Sequence, residues 1–150
     1  MTRRQSTSEQ WLILPELDDA ALSAVRHLRR WTGVIVIGTP AAAELRRLQR
    51  ISAARGLTLA VEGLGDAARV HNLPELRTAL LRRTPLVLLS PMFPTRSHPR
   101  WGAIPRMRAA ALARLADRRL LALGGMNARR YAKIAALGFI GWAGISAFRT

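Results

Sequence analysis

The chain has no cysteine, a single lysine (Lys133) and only nine acidic residues in 150. Without cysteine there can be no disulfide, no thiolate metal site and no cysteine nucleophile. A cytoplasmic location is the expectation. No apolar run nears the ~18 residues that a spanning helix needs. The opening "MTRRQSTSEQ" has two arginines but lacks the apolar segment a signal peptide requires. Residues 1–10 read as a polar leader and residues 11–150 as a single domain.

The scarcity of acids leaves a formal net charge of +15. Such a charge favours anionic partners: nucleic acid, an anionic membrane or phosphorylated small molecules. The arginines, however, accompany abundant alanine and leucine, as in a GC-rich coding bias. They are scattered along helix-like stretches rather than gathered in one block. The glycine turns near the end of the chain point to a phosphorylated small molecule as the partner. Nucleic acid is disfavoured, and no membrane partner is expected.

Short apolar runs alternate with amphipathic stretches. "WLIL" (11–14), "GVIVIG" (33–38), "LTLAVEG" (57–63), "ARVH" (68–71), "PLVLLS" (85–90), "LLALGG" (120–125) and a segment in "FIGWAGISAF" (139–148) read as strands. Helical spacing marks the stretches between most of them. Asp18 or Asp19, Thr39 and Asn72 are candidate caps, and Glu75 follows Asn72 by three residues as in a capping box. Alternation of this kind predicts an α/β fold, a TIM-barrel-like parallel (β/α) repeat reduced to about seven strands. A full eight-unit barrel usually needs ~200 residues or more.

In parallel α/β folds ligands meet the carboxyl ends of the strands. His71 follows the fourth strand there, and Ser90 to Pro99 follow the fifth. Gly124, Gly125 and Met126 follow the sixth, and Gly144, Ile145 and Ser146 the seventh. "LALGGMN" is a strand, a glycine pair and a helix start, whose amide groups and helix dipole suit a phosphate. His27 sits within a helix and is expected to be structural. No His/Asp/Glu spacing resembles a zinc site. A Mg²⁺ held by one carboxylate and a substrate phosphate is the cofactor such a site would take. Glu62, Asp66, Asp18 and Asp19 are its nearest protein ligands.

Several of these segments resemble one family. "LLSPMFPTRSHP" is similar to the "GPVFPTxTK" or "SPVFPTxSHP" loop of the thiamine-phosphate synthase / TenI family. "LALGGMN" looks like its "VAIGGI" phosphate loop, "GFIGWAGISAF" like its terminal "GAxGVAVVSAI", and "VHNLPEL" like "VHSLEEA". The resemblance covers about residues 68–148 and implies a (β/α)₈ barrel acting in thiamine biosynthesis. Synthases of the family join a pyrimidine pyrophosphate to a thiazole phosphate, with Mg²⁺ holding the leaving pyrophosphate. TenI-type relatives isomerise the thiazole phosphate with a histidine.

Carried over by position, the resemblance makes His71 and Thr95 the expected catalytic residues. His71 stands where the isomerases keep their base, and Thr95 where the loop threonine meets ligand phosphate. Ser97 and His98 fall at the loop's further ligand positions. Gly124, Gly125 and Met126, with Gly144, Ile145 and Ser146, match the thiazole-phosphate loops. Glu62 stands where the family has a magnesium ligand, next to Gly63 in place of "ND". Arg69 replaces a serine, "GVIVIGTP" replaces the pyrophosphate-binding "QLRxK", and the family's fourth strand unit is deleted. The thiazole-phosphate half of the site is thus kept and the pyrophosphate half pared away. Binding of thiazole phosphate and its joining to the pyrimidine pyrophosphate, isomerisation or binding alone, and a basic nucleic-acid-interacting protein are the three expectations. The deletion should also leave an open sheet edge, to be covered by the leader, a second copy or a partner chain.

Overall fold

The computed structural model describes residues 9–96 and 99–145. Within them seven strands form one parallel sheet: β1 (Gln10–Leu14), β2 (Gly33–Val36), β3 (Thr58–Val61), β4 (Ala67–Val70), β5 (Leu86–Leu89), β6 (Leu120–Ala122) and β7 (Gly141–Gly144). Five helices connect them: α1 (Asp19–Arg26), α2 (Ala42–Arg55), α3 (Leu73–Leu81), α4 (Arg106–Ala116) and α5 (Ala128–Ile134). The spatial order is β3-β2-β1-β7-β6-β5-β4, so the sheet rolls into a nearly closed barrel. None of the described helices is long and apolar enough to cross a membrane.

Helix starts follow local chemistry. Asp18 Oδ1 accepts from the Ala21 N–H at 2.7 Å. Asn72 and Asn127 accept from Glu75 and Arg130 N–H at 3.0 and 2.8 Å. Each satisfies an amide that the first helical turn leaves without a carbonyl. Thr39, the expected cap of α2, has no such role. The cap position is Ala41, with no side-chain hydrogen bond. The Thr39 hydroxyl instead occupies the space a side chain on Gly63 would need. His27 ends α1, with Nδ1 2.7 Å from the Ser23 carbonyl oxygen.

The interior of the barrel is filled by side chains from every strand. They include Trp11, Ile13, Ile35, Ala60, Ala67, Leu88, Leu121 and Ala143. Trp11 lies across Gly33, its register partner on β2, where a Cβ would fall inside the indole. Outside, β1 to β3 pack on α1 and α2, and β4 to β7 on α3, α4 and α5.

The seam between β3 and β4 is the departure from a full barrel. Only residues 62–66 join them, beginning with a 3₁₀ turn at Glu62–Leu64 where the sequence suggested continued strand. A parallel return needs about a dozen residues or more. The two strands therefore meet end to start rather than side by side. Asp66 N–H donates to the Val61 carbonyl at 3.2 Å, and Val61 N–H to Asp66 Oδ2 at 2.9 Å. No ladder pairs β3 with β4 among the described residues.

Candidate functional site

A parallel sheet sends all its βα loops to one end. There the carboxyl ends of β4 to β7 enclose a cleft of about 930 Å³. β4 alternates, Ala67 into the barrel and Ala68 and Val70 onto the helices, so Arg69 points inward at the rim and His71 follows it. β5 delivers Ser90 and then the loop bearing Thr95, Arg96 and Trp101. β6 delivers Gly124, Gly125 and Met126, and β7 delivers Gly144 and Ile145. The seven expected residues His71, Thr95, Gly124, Gly125, Met126, Gly144 and Ile145 thus line one cavity. Ser97, His98 and Ser146 lie outside the described residues.

Two segments are stitched together to make this wall. Met92 N–H donates to Leu123 O at 2.9 Å and Phe93 N–H to Gly124 O at 3.2 Å, extending the β5–β6 ladder beyond both strands. Gly124 holds φ +100°, and a Cβ there would sit 2.8 Å from Pro91 Cα. Only glycine allows the two backbones this close. Arg130, on the first turn of α5, reaches back to donate to Gly125 O at 2.6 Å. Its guanidinium lies 5.2 Å from the Phe93 ring centre. Sequence reasoning did not pick out Arg130 or Trp101. The signal for Arg130 was its place one turn into the helix that follows the glycine pair.

The lining is cationic. Arg69, Arg96 and Arg130 face the cleft and no aspartate or glutamate does. Arg69 is balanced from outside by Glu62, with Nε–Oε2 at 2.7 Å and NH2–Oε1 at 3.0 Å. Among the described residues no hydrogen bond engages the amide N–H groups of Gly125 and Met126 or the Ser90 hydroxyl. Ser90 is only 8% exposed. Backbone amides and a buried hydroxyl left open beside a fixed arginine are donors set for an oxyanion. The helix dipole adds less than the sequence suggested, because α5 has seven residues.

His71 is held by its own loop. Glu75 Oε2 accepts from the His71 N–H at 2.7 Å and lies 3.0 Å from His71 Nδ1. The expected capping box would have turned Glu75 to Asn72; it reaches one residue further back. These hydrogen bonds, the backbone one foremost, hold the Glu75 carboxyl below the usual glutamate range. Since a carboxylate can only accept, Nδ1 carries the proton, and Nε2 is the nitrogen left to act as base. The Trp101 ring meets the imidazole edge-on, 5.4 Å between centres.

Three of the four candidate magnesium ligands already carry other contacts. Glu62 spends both oxygens on Arg69, Asp66 accepts from Val61, and Asp18 caps α1. No group of three His, Cys, Asp or Glu side chains among the described residues could hold a metal ion.

No family model matches the chain, and no curated protein matches its sequence. The fold and the cleft at its carboxyl end define the class: a parallel β/α barrel with a cationic rim site. Among solved structures the chain is similar to a thiamine phosphate pyrophosphorylase from Pyrococcus furiosus. The TM-score is 0.68 at 15% identity, over 95% of this chain and 87% of that one. At that identity the likeness establishes the fold.

Proposed function

We propose that the chain binds a phosphorylated small molecule in this cleft, thiazole phosphate by its resemblance to the thiamine-phosphate synthase / TenI barrels. The observation that carries the reading is the lining: three arginines, open amides at the Gly124–Gly125 turn, and no carboxylate. The phosphate would sit at that turn against Arg130 and Ser90, with the ring toward Leu123 and Trp101. Joining this ligand to a pyrimidine pyrophosphate would demand stabilisation of the leaving pyrophosphate. The rim offers few groups for that, since Arg69 is already paired with Glu62, whose two oxygens both serve that pair. We therefore propose binding without the joining step and without Mg²⁺.

A thermal-shift panel tests the binding. Thiazole phosphate at about 100 times its Kd should stabilise the fold by about 2.7 kcal/mol. Pyrimidine pyrophosphate with Mg²⁺ should shift the melt far less. Absence of any shift with thiazole phosphate or thiamine phosphate would sink the reading. Growth of a thiamine auxotroph lacking its synthase would overturn the exclusion of the joining step.

A second reading, isomerisation of the bound thiazole phosphate, is favoured by one observation. His71 is oriented by Glu75 through Nδ1, as a general base acting through Nε2 requires. His71→Ala should then abolish isomerisation while leaving thiazole-phosphate binding in place. Unchanged turnover would remove His71 from that role.

A further inference from the structure

Seven of the arginines that look scattered along the sequence are gathered by the fold at the end of the barrel opposite the cleft. Every helix-to-strand junction of a parallel barrel emerges at the amino end of the strands. Three such junctions carry an arginine pair: Arg29–Arg30 before β2, Arg82–Arg83 before β5 and Arg118–Arg119 before β6. Arg55 closes α2 on the same end. The acids there are Glu9, Asp66 and Asp117, of which Asp66 is engaged with Val61.

Large apolar side chains protrude among these arginines. Trp31 is 66% exposed, Leu81 84% and Leu115 55%. Leu81 and Leu115 sit in the last turns of α3 and α4, and Trp31 in the link from α1 to β2. Arg30 lies over the Trp31 ring at 5.0 Å. The backbone is strained at the same place. Among the described residues the non-glycine positions with positive φ are Trp31 (71°), Arg83 (56°), Asp117 (42°) and Arg118 (60°), all at these junctions. Glycine is the residue such positions favour, as Gly56 and Gly138 show at the other two. A tryptophan and two arginines are kept here against that preference, which points to a use for their side chains.

We propose that this face docks on an anionic lipid bilayer surface. Arginines would meet the headgroup phosphates, while Trp31, Leu81 and Leu115 enter the boundary between headgroups and acyl chains. The charge alone would also suit a nucleic-acid backbone. The protruding leucines decide for lipid, because a phosphate backbone offers them nothing to bury against. The expectation of no membrane partner rested on the lack of a spanning segment, and docking needs none. The cleft faces away from the surface in this arrangement, so its ligand could be bound by the docked protein.

Vesicle co-sedimentation of the whole chain tests this. Phosphatidylcholine vesicles containing phosphatidylglycerol should bind it, pure phosphatidylcholine vesicles far less, and high salt should release it. Arg82→Ser with Arg83→Ser should weaken binding about fivefold per arginine, roughly 25-fold together. Leu81→Ser should also weaken it. Arg46→Ser with Arg50→Ser, on the flank of α2, should change it less than about twofold if the face, and not net charge, binds. Melting curves confirm that each variant is folded. Equal loss from the α2 pair, equal binding to both vesicle types, or binding of single-stranded oligonucleotide but not of vesicles would overturn the proposal.

Discussion

Replacing Gly124 with alanine should damage both the fold and the site, and a second glycine supplies the control. Gly124 has φ +100° and Gly38 has φ +71°, both in the region that side chains avoid. Around a Cβ on Gly38 there is nothing within 4 Å, whereas one on Gly124 would meet Pro91 Cα at 2.8 Å and Met92 N at 3.2 Å. Gly38→Ala should therefore cost only the conformational term, about 1–2 kcal/mol. Gly124→Ala should cost that and the overlap, another 1–3 kcal/mol or so, because the obstacle is backbone and cannot rotate away. At about 2–4 °C per kcal/mol for a chain of this size, the two variants should melt several degrees apart. The overlap also pushes the Pro91 segment off β6, lengthening the bonds from Met92 to Leu123 and from Phe93 to Gly124. Gly124→Ala should thus lose the thiazole-phosphate shift and Gly38→Ala should keep it. Denaturant titration with and without ligand measures both. If the two variants cost the same, or if Gly124→Ala binds normally, the close packing of this wall is not what shapes the site.

Three other substitutions read out separate parts of the structure. Ser52 is buried in α2 and its hydroxyl has no partner, so Ser52→Ala should stabilise the protein by about 1–2 kcal/mol in a denaturant titration. Glu75 has a folded pKa below its unfolded value, so its contribution to stability is present above the ordinary glutamate range. It is lost as pH falls through the lower folded value. Melting temperatures of wild type and Glu75→Gln should therefore differ near neutral pH and converge in acid, by a modest amount because the pair is exposed. Arg83 sits at φ 56°, so Arg83→Gly should raise stability by about 0.5–1 kcal/mol while weakening binding to anionic vesicles.

Much of the barrel was legible in the sequence because its signals are local. Glycine-bounded, β-branched runs such as "GVIVIG" favour buried strands, and Asp18 and Asn72 cap helices with atoms three residues away. The short link between β3 and β4 was visible as a missing unit, since five residues cannot return a parallel strand. The glycine pair at Gly124–Gly125 announced a tight turn by composition. Where local reading failed, a competing contact had won. Thr39 caps nothing because it packs on Gly63, which is distant in sequence, and Glu62 is claimed by Arg69 across the seam.

The order of strands and helices, the caps, the reduced length of the barrel and the segments that reach its mouth were thus set by local chemistry. Periodicity and turn chemistry act within a few residues and need no partner. Tertiary packing placed the cleft over β4 to β7, brought Arg130 and Trp101 to it, and turned Glu62 to an ion pair. Packing also brought three arginine pairs to one face opposite the cleft. Which side chains meet around a barrel depends on the order in which strands close, and that order is set by packing between residues far apart in the chain.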